Sequence, residues 1–254
     1  MSRPASKSSS PSAARRPHAV LELASRHRKA MKIERLLGLS PAGPPRRLLE
    51  IGTGSGGIAD YFVRQSPAAY DVSACDVVDQ RVARSGFRFA TVKGVSLPYA
   101  DQSFDVVISN HVIEHVGDRT AQLAHLREIR RVLAAGGVGY LAVPNRWMLV
   151  EPHFGLPLLS WLPRPLASAY VRLAGRGLHY DCRPLTAGQL TSMVAEAQMT
   201  AVALEVPAIR IHGELEGRRG LVLRAVERLP STLLRGARPI VPTLICLLRR
   251  VDQV

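Results

Sequence analysis

The chain has 254 residues, 46% of them hydrophobic, and a formal net charge of +14 at pH 7. That length suits one domain with additions and a sizeable core. Its three cysteines have no metal or redox spacing and form no disulfide framework, no secretory signal is visible, and no apolar run is long enough to span a bilayer. We therefore expect a cytoplasmic protein with reduced thiols.

The positive charge is concentrated at the two ends of the chain. Residues 1–39 carry nine Lys or Arg against two acids, and residues 201–254 carry nine against five. This distribution predicts peripheral contact of the ends with an anionic membrane or a polyanion, or solvated tails with no partner. Residues 1–18 lack acids and are rich in Ser, Pro and Arg, so we expect a disordered basic tail, with an organellar transit peptide as the alternative.

Hydrophobic periodicity predicts alternating helices and strands after a first helix at 20–37. The predicted strands are Arg47–Ile51, Tyr70–Asp76, Phe87–Val92, Asp105–Ser109 and Val138–Val143, and the helices lie near 57–65, 79–84 and 119–134. This alternation indicates an α/β fold with a doubly wound, parallel sheet, in which ligands bind beyond the carboxyl ends of the strands.

The alternation of strands and helices is interrupted after the fifth strand. Residues 146–185 contain both tryptophans and five prolines, and Thr186 with Gln189 forms a capping box for a helix that ends near Ala197. Two further strands are predicted at Ala201–Val206 and Thr243–Leu248. Between them, residues 214–240 interleave Leu and Arg, a pattern that fits either an anionic bilayer surface or packing on the sheet.

A glycine-rich turn follows the first strand. Gly52, Gly54 and Gly56 alternate after the apolar end of the strand, and backbone N–H groups in such a turn can approach a ligand closely. Gly52, Gly54 and Gly57, with Asp76 further on, also satisfy the dinucleotide fingerprint G-x-G-x-x-G. By itself this turn fits NAD as well as S-adenosylmethionine.

Downstream motifs favour the second cofactor. They are LPYADQSFDVVIS at 97–109, NHVIEH at 110–115 and RVLAAGG at 131–137. This succession resembles the class I S-adenosylmethionine-dependent methyltransferases, in the branch with quinone-biosynthesis enzymes and many small-molecule methyltransferases. The resemblance is specific over 46–145 and looser to 250, through EPHF at 151–154 and YDCRPLT at 180–186. It implies a Rossmann-like, mostly parallel seven-stranded sheet within one domain, 19–254, whose insert after strand 5 forms the acceptor pocket.

The resemblance also implies which residues hold the cofactor. The glycine loop offers N–H donors to the methionine carboxylate, Glu50 complements the ammonium, Asp76 accepts from the ribose hydroxyls, Val77 lines the adenine and Asn110 faces the methionine moiety. The loop before Leu97 lacks the acid that many relatives use for adenine, and the backbone of Val95 or the hydroxyl of Ser96 is the expected substitute. The expected cofactor residues are Glu50, Gly52, Thr53, Gly54, Ser55, Gly56, Asp76, Val77, Val95, Ser96 and Asn110.

Methyl transfer from a sulfonium needs alignment of the reacting atoms, and a base only where the acceptor must lose a proton. His153, His111 and His115 are the candidate bases, because a histidine near its ordinary pKa accepts a proton at neutral pH. His115 at the start of a helix could instead have a purely structural role. Tyr180 and Asn145 are weaker pocket candidates, and no metal site is predicted.

The sequence thus predicts a methyltransferase that acts on a small-molecule, lipid or glycan-linked acceptor, with oxygen as the favoured atom. The alternatives are a non-catalytic nucleoside-binding protein at a membrane and a nicotinamide oxidoreductase on a similar fold. A nucleic acid partner is not expected, because aromatic residues make up only 5% of the chain and the core segment is nearly neutral.

Overall fold

The computed structural model describes residues 22–40, 43–65, 69–216 and 229–251. Its strands are β1 Arg46–Ile51, β2 Tyr70–Asp76, β3 Arg88–Thr91, β4 Phe104–Asn110, β5 Leu133–Pro144, β6 Val150–Glu151, β7 Leu156–Pro157, β8 Met199–Ala203 and β9 Thr243–Arg250. Its helices are α1 Leu23–Leu37, α2 Gly57–Gln65, α3 Arg119–Val132, α4 Arg164–Leu173, α5 Ala187–Glu196, α6 Glu205–Glu216 and α7 Ser231–Gly236.

Seven strands form one sheet in the order β3-β2-β1-β4-β5-β9-β8. The first five run parallel to one another, and β9 runs antiparallel to both β5 and β8. The order reverses between β1 and β4, which are adjacent in the sheet although β2 and β3 separate them along the chain. The predicted α/β, doubly wound, mostly parallel seven-stranded sheet is confirmed.

Helices cover both faces of the sheet. One apolar cluster joins α3 and α5, through residues such as Leu126 and Met193, to strand residues such as Val107. The other joins α1, α2 and α6 to the opposite face, through residues such as Ile33 and Phe62. Because strand side chains alternate between faces, the central strands contribute to both clusters and are buried along most of their length.

Helix ends follow the local sequence signals. The Thr186 hydroxyl accepts from the Gln189 backbone N–H, and the Gln189 side chain accepts from the Thr186 backbone N–H, which confirms the capping box. The Asp118 carboxylate accepts from the Ala121 N–H at 3.0 Å and starts α3 in the same way. Helix α1 ends at Gly38, whose left-handed φ of 61° no β-branched residue would adopt easily.

The helix predicted near 79–84 is wrong, and the glycine loop explains why. The backbone N–H groups of Val82 and Ala83 donate to the carbonyl of Ser55, at 2.9 and 3.0 Å. The carboxylate of Asp79 accepts from the backbone N–H and the guanidinium of Arg81. These bonds replace helical ones, so this segment supports the glycine loop from outside.

Two predicted strands differ from the structure by three residues or more at one end. The eighth strand is Met199–Ala203, not Ala201–Val206, because the chain turns after Ala203 and α6 begins at Glu205. The fifth is longer than predicted, since β5 begins at Leu133, immediately after α3, and Leu133 pairs with Phe104 before the register shifts.

The insert after β5 has a small core of its own. The short β6–β7 hairpin and α4 bury Phe154, Leu159, Ala167, Val171 and Tyr180 together. Of the predicted amphipathic segment 214–240, residues 217–228 lie outside the described residues, as does the predicted tail 1–18. Helix α6 packs on α1 and β9. Within the described ranges, no helix is both long and apolar enough to cross a bilayer.

Candidate active site

The glycine loop, Asp76 and Asn110 meet at one edge of the sheet. Strand β1 lies between β2 and β4, and Ile51 is in register with both Cys75 and Ser109. The residues that follow these three strand ends therefore lie side by side beyond their carboxyl ends. This is the position at which ligands bind in doubly wound sheets.

The loop owes its shape to glycines in the left-handed region. Gly52, Gly54 and Gly56 have φ angles of 70°, 53° and 78°. A Cβ on Gly52 would lie 2.4 Å from Cγ2 of Val112, and one on Gly56 would lie 2.4 Å from the carbonyl oxygen of Ala83. Gly52 and Gly56 are therefore required by their φ angles and by close packing against the rest of the chain.

Asp76 holds the loop from the neighbouring strand. Its Oδ2 accepts from the Gly54 N–H at 2.8 Å and its Oδ1 accepts from the Val77 N–H at 2.7 Å. Each carboxylate oxygen has a second lone pair, so the group can still accept from the two hydroxyls of a ribose. Val77 is exposed beside it. The predicted ribose and adenine contacts stay predictions, and the geometry is compatible with both.

Glu50 is fully buried, and its contacts are to the protein. Its Oε2 accepts from the Thr53 hydroxyl at 2.7 Å and from the Ala59 N–H at 3.0 Å. Burial raises the pKa of Glu50 to about 8, although these two hydrogen bonds and the charge of Arg26 act in the opposite direction. The carboxylate thus joins the glycine loop to the first turn of α2, and its contact with a cofactor ammonium stays a prediction.

Arg26 is a residue that the sequence reasoning missed. It lies on α1, which packs against α2, and its Cβ is 2.6 Å from where a Cβ on Gly57 would be. Burial lowers the pKa of this arginine, and the charge of Glu50 raises it. No spacing in α1 distinguishes Arg26 from the other basic residues of that helix, so only the tertiary packing shows that it reaches the loop.

Two buried polar atoms on this edge have no protein partner. Within the described residues, Oγ of Ser55 and Oδ1 of Asn110 are buried and make no hydrogen bond. Such atoms are costly unless a ligand or water completes them. They flank the glycine loop and the end of β4, so the residues present fit a polar ligand at this edge, as the methionine part of S-adenosylmethionine would be.

The proposed adenine loop lies at the entrance of the same edge. Val95 is half-buried and Ser96 is exposed. Leu97 is fixed by its backbone N–H, which donates to Oε2 of Glu128 at 2.8 Å. Arg131 donates to the carbonyls of Leu97 and Tyr99 and so braces this loop from α3. The loop is held in place without the acid that the resemblance leads one to expect.

The three candidate histidines come together. His111 and His115 follow β4, and His153 lies in the turn between β6 and β7. The ring of His153 is 5.3 Å from that of His115 and 6.5 Å from that of His111, between centroids. About 40 residues of sequence separate these positions, so the insert has folded back over the end of β4.

Two fully buried carboxylates orient the histidines. Oε1 of Glu151 lies 2.7 Å from Nδ1 of His153, while its Oε2 accepts from the Phe154 N–H. Oε1 of Glu114 lies 3.2 Å from Nδ1 of His111 and 4.0 Å from Nε2 of His115. Oε2 of Glu114 is buried without a hydrogen bond within the described residues.

The pKa of His153 reflects this environment. Burial lowers it, but the hydrogen bond and charge of Glu151, with the charges of Glu114 and Asp181, outweigh burial and hold the pKa above the ordinary histidine value. His111 has a backbone φ of 58°, which is strained for a histidine and is held by a hydrogen bond from its N–H to the Ala142 carbonyl. Non-glycine residues in this conformation cluster at functional sites.

Other residues of the insert complete the surroundings of His153. Sγ of Cys182 lies 3.8 Å from Nδ1 of His153, and burial raises the pKa of this thiol above its ordinary range. Tyr180 is buried with no hydrogen bond to its hydroxyl in the described part of the chain. Asn145, by contrast, donates to the Pro239 carbonyl and accepts from the Trp147 N–H, so its amide serves the loop backbone. Glu151 and Cys182 were both missed as site residues, because their spacing from His115 carries no motif.

Comparison with known proteins agrees with this geometry. Residues 49–141 match the methyltransferase domain family. A probable S-adenosylmethionine-dependent methyltransferase of Mycobacterium tuberculosis is 30% identical over 171 residues, which cover 65% of this chain and 53% of that protein. Residues 49–141 form a class I S-adenosylmethionine-dependent methyltransferase domain. The choice between two cofactors that the glycine motif left open is thereby made in favour of S-adenosylmethionine.

One further curated relative and one solved structure are similar to this chain. The ubiquinone/menaquinone biosynthesis C-methyltransferase of Desulfotalea psychrophila is 27% identical over 158 residues, 56% of this chain and 63% of that enzyme. The YcgJ protein of Bacillus subtilis shares the fold with a TM-score of 0.53 at 16% identity, over 88% of this chain and 99% of that one. The chain spans less than two thirds of the length of both curated relatives.

Proposed function

We propose that the methyltransferase domain transfers a methyl group to a hydroxyl oxygen of its acceptor, with Nε2 of His153 as the general base. The observation that carries the proposal is the hydrogen bond between Glu151 and Nδ1 of His153, at 2.7 Å. A buried carboxylate at Nδ1 favours the tautomer with its proton on Nδ1, so that Nε2 is the nitrogen that accepts a proton, and it stabilises the imidazolium that forms.

The bound cofactor supplies a methyl group on a positively charged sulfur. The acceptor oxygen forms a bond to that methyl as the carbon–sulfur bond breaks, its proton passes to His153, and S-adenosylhomocysteine leaves. The protein contributes chiefly by alignment of the three reacting centres, which lowers a barrier by up to roughly 7–11 kcal/mol. The glycine loop, Asp76 and Asn110 would hold the cofactor, and the insert would hold the acceptor.

Oxygen is favoured over carbon because of the arrangement around the base. An activated carbon nucleophile loses no proton, or loses one readily, before it is methylated, whereas a hydroxyl benefits from a base in the transition state. Glu114 and Glu151 are buried beside the clustered histidines, and burying two carboxylates is costly. A role in supporting a general base explains why the protein bears this cost. A carbon acceptor, as in the quinone-pathway relative, is the alternative outcome.

The test uses S-adenosylmethionine with a deuterated methyl group and a metabolite and lipid extract of the source cells. Mass spectrometry should find one labelled product, with the label on oxygen. His153→Gln should lower kcat by about 10²–10⁴-fold, as loss of a general base does, with the donor affinity unchanged. His179→Gln, an exposed histidine of the same insert, is the matched control. A label on carbon, or a His153→Gln variant with the wild-type rate, would contradict the proposal.

A lipid or lipid-linked acceptor is the class that the surface of the insert supports. Leu149, Val150, Leu158 and Trp161, on and beside the β6–β7 hairpin that carries His153, are each more than 40% exposed. Trp147 packs edge-on against Trp161, and the guanidinium of Arg146 lies 5.7 Å from the Trp147 ring. Exposed Trp and Leu beside arginine suit the interface of an anionic bilayer.

Vesicle sedimentation tests this acceptor class. The full chain should sediment with vesicles that contain phosphatidylglycerol and much less with phosphatidylcholine alone. Trp161→Ala combined with Leu158→Ser should weaken sedimentation, whereas Leu173→Ser, an exposed apolar residue at the far end of α4, should have little effect. If the chain sediments with neither vesicle type, the membrane proposal is wrong and the acceptor is water-soluble.

A further inference from the structure

His115, His153 and Cys182 form a cluster of metal-ligand type. Each offers one ring nitrogen or sulfur atom, and the three atoms lie within 4.8 Å of one another. Their ligand atoms would be about 3.3–3.6 Å apart around a tetrahedral ion with bonds of about 2.0–2.3 Å. Coordination therefore requires side-chain rotations that shorten these distances by at most about 1.2–1.5 Å. We propose that these three residues bind one soft divalent cation of the zinc type.

The donor set selects the class of ion. Two imidazoles and one thiolate are ligands that Zn²⁺ prefers, whereas Mg²⁺ and Ca²⁺ take oxygen ligands. Three protein ligands leave a fourth position open, which is the pattern of zinc sites that exchange water or substrate. The donor set therefore favours a zinc-like ion with one coordination position that the protein does not fill.

The residues around the cluster act as an outer shell. Oε1 of Glu151 lies 2.7 Å from Nδ1 of His153, and Sγ of Cys182 lies 3.8 Å from the same nitrogen, so this carboxylate orients the imidazole beside the cluster, as outer-shell carboxylates do for metal-bound histidines. Glu114 lies 4.0 Å from Nε2 of His115. Both carboxylates are 0% exposed, and a cation bound by the histidines that they contact offsets the cost of burying two negative charges.

An unsatisfied atom independently points to a missing partner. Oε2 of Glu114 is buried and makes no hydrogen bond within the described residues. We expect a water bound to the ion to be the donor that completes this oxygen.

The backbone holds the cluster together without the ion. The Arg183 N–H donates to the Glu114 carbonyl at 2.8 Å, and the Gln122 amide donates to the carbonyls of both Ile113 and Arg183. These bonds join the segment that carries Cys182 to the one that carries His115. The ligands are therefore largely preorganised, which favours binding over coordination by a mobile chain.

Occupation of the site would regulate methyl transfer, an effect that rests on the proposed function. Coordination through Nε2 of His153 takes the lone pair that the general base needs, and coordination through Nδ1 displaces the hydrogen bond to Glu151 on which the base depends. Loading with the ion should therefore suppress transfer to a hydroxyl and leave donor binding intact. The sequence predicted no metal here, since Cys182 is 29 residues from His153 and 67 from His115, with no motif between them.

Co²⁺ is the spectroscopic probe, since it replaces Zn²⁺ in such sites and reports a thiolate ligand by a charge-transfer band. The full chain, first treated with a chelator, is titrated with Co²⁺ without donor or acceptor, so that the result does not depend on any methyl transfer. One equivalent should produce the band, and Zn²⁺ should abolish it by competition. A folded protein with no band, or with a band that requires several equivalents, would overturn the site.

Matched variants assign the ligands. Cys182→Ser should remove the band, while Cys246→Ala, a buried cysteine in β9, should retain it. Glu151→Gln should weaken binding by about 10–100-fold, as loss of an outer partner does. His115→Gln alters a partly exposed side chain and provides a second test should Cys182→Ser fold poorly. A band that survives in both ligand variants would refute the assignment, and unchanged methyl transfer by Zn²⁺-loaded protein would refute the regulation alone.

Discussion

The carboxylate of Asp76 accepts a hydrogen bond from the Gly54 N–H at 2.8 Å, so the acid at the end of β2 and the glycine loop after β1 form one unit. A substitution at Asp76 therefore also affects the conformation of the glycine loop, and a substitution in the loop affects Asp76. This coupling determines how the first two predictions are read, because a substitution can weaken cofactor binding directly or through the shape of the loop.

Asp76→Ala should weaken binding of S-adenosylmethionine by about 1–3 kcal/mol, the cost of leaving buried polar partners unsatisfied. Isothermal titration measures this, and thermal unfolding separates loss of contact from loss of the fold. Asp71→Ala is the control, because Asp71 begins the same strand and pairs with Arg88 at the surface. Equal affinity in both variants would remove Asp76 from the cofactor site.

Gly52→Ala should destabilise the protein more than Gly136→Ala. The two glycines have nearly the same left-handed φ, 70° and 74°, but only Gly52 has a neighbour, Val112, within 4 Å of an added Cβ. Both variants pay the backbone strain of about 1–2 kcal/mol, and Gly52→Ala adds about 1–3 kcal/mol of overpacking. Urea unfolding compares them. If the contact with Val112 is the cause, Val112→Ala should restore part of the loss.

The buried Glu50 should make stability fall as the pH rises from about 4.5 to about 8. Its pKa is about 8 in the folded chain against an ordinary 4.5, so in this range the folded state keeps a proton that the unfolded state has lost. The slope from this group is at most about 1.4 kcal/mol per pH unit. Glu50→Gln can still accept from Thr53 and Ala59, and in urea unfolding it should lack this slope. Parallel curves for variant and wild type would show that Glu50 is ionised in the folded state.

The same residue also predicts how donor binding depends on pH. If the cofactor ammonium lies near Glu50, binding favours the ionised carboxylate, and the affinity should rise between pH 6 and 8 in the wild type. The affinity of Glu50→Gln should then be flat over that range. A flat profile in both proteins would restrict Glu50 to its role between the loop and α2.

His125 should make the protein sensitive to acid. It is buried on α3 with its Nε2 3.0 Å from the Ser109 hydroxyl, and burial lowers its pKa to about 4 from an ordinary 6.5. The unfolded state binds a proton in this range that the folded state does not, so the stability present above pH 6.5 is lost as the pH falls toward 4. Between about pH 4.5 and 6.5, Glu50 changes the stability in the opposite direction. The effect of His125 is therefore isolated by comparing His125→Gln with the wild type and with His179→Gln, a control at an exposed histidine. On acidification, His125→Gln should lose less stability than the wild type and less than His179→Gln.

Most strands and helices could be predicted from the sequence because they depend on local sequence patterns. Strand Tyr70–Asp76, helix Gly57–Gln65 and the Thr186 capping box all depend on neighbouring residues, and the structure has them where the pattern predicts. The helix near 79–84 failed for a nonlocal reason, since the N–H groups of Val82 and Ala83 bond to Ser55 on another segment. Propensity cannot anticipate a hydrogen bond to a distant carbonyl.

The candidate site also has a part that local patterns predict and a part that depends on tertiary packing. The glycine loop and Asp76 follow strand ends whose adjacency is implied by a doubly wound sheet, so the sequence by itself determined the family and predicted that the cofactor binds at this edge of the sheet. Three candidate histidines could be named, but nothing in their spacing said that His153 meets His115, that Glu151 and Glu114 lie buried behind them, or that Cys182 joins them. Those contacts depend on how the insert folds back over the end of β4, and long-range packing of this kind decides which side chains share one environment and therefore what chemistry they perform.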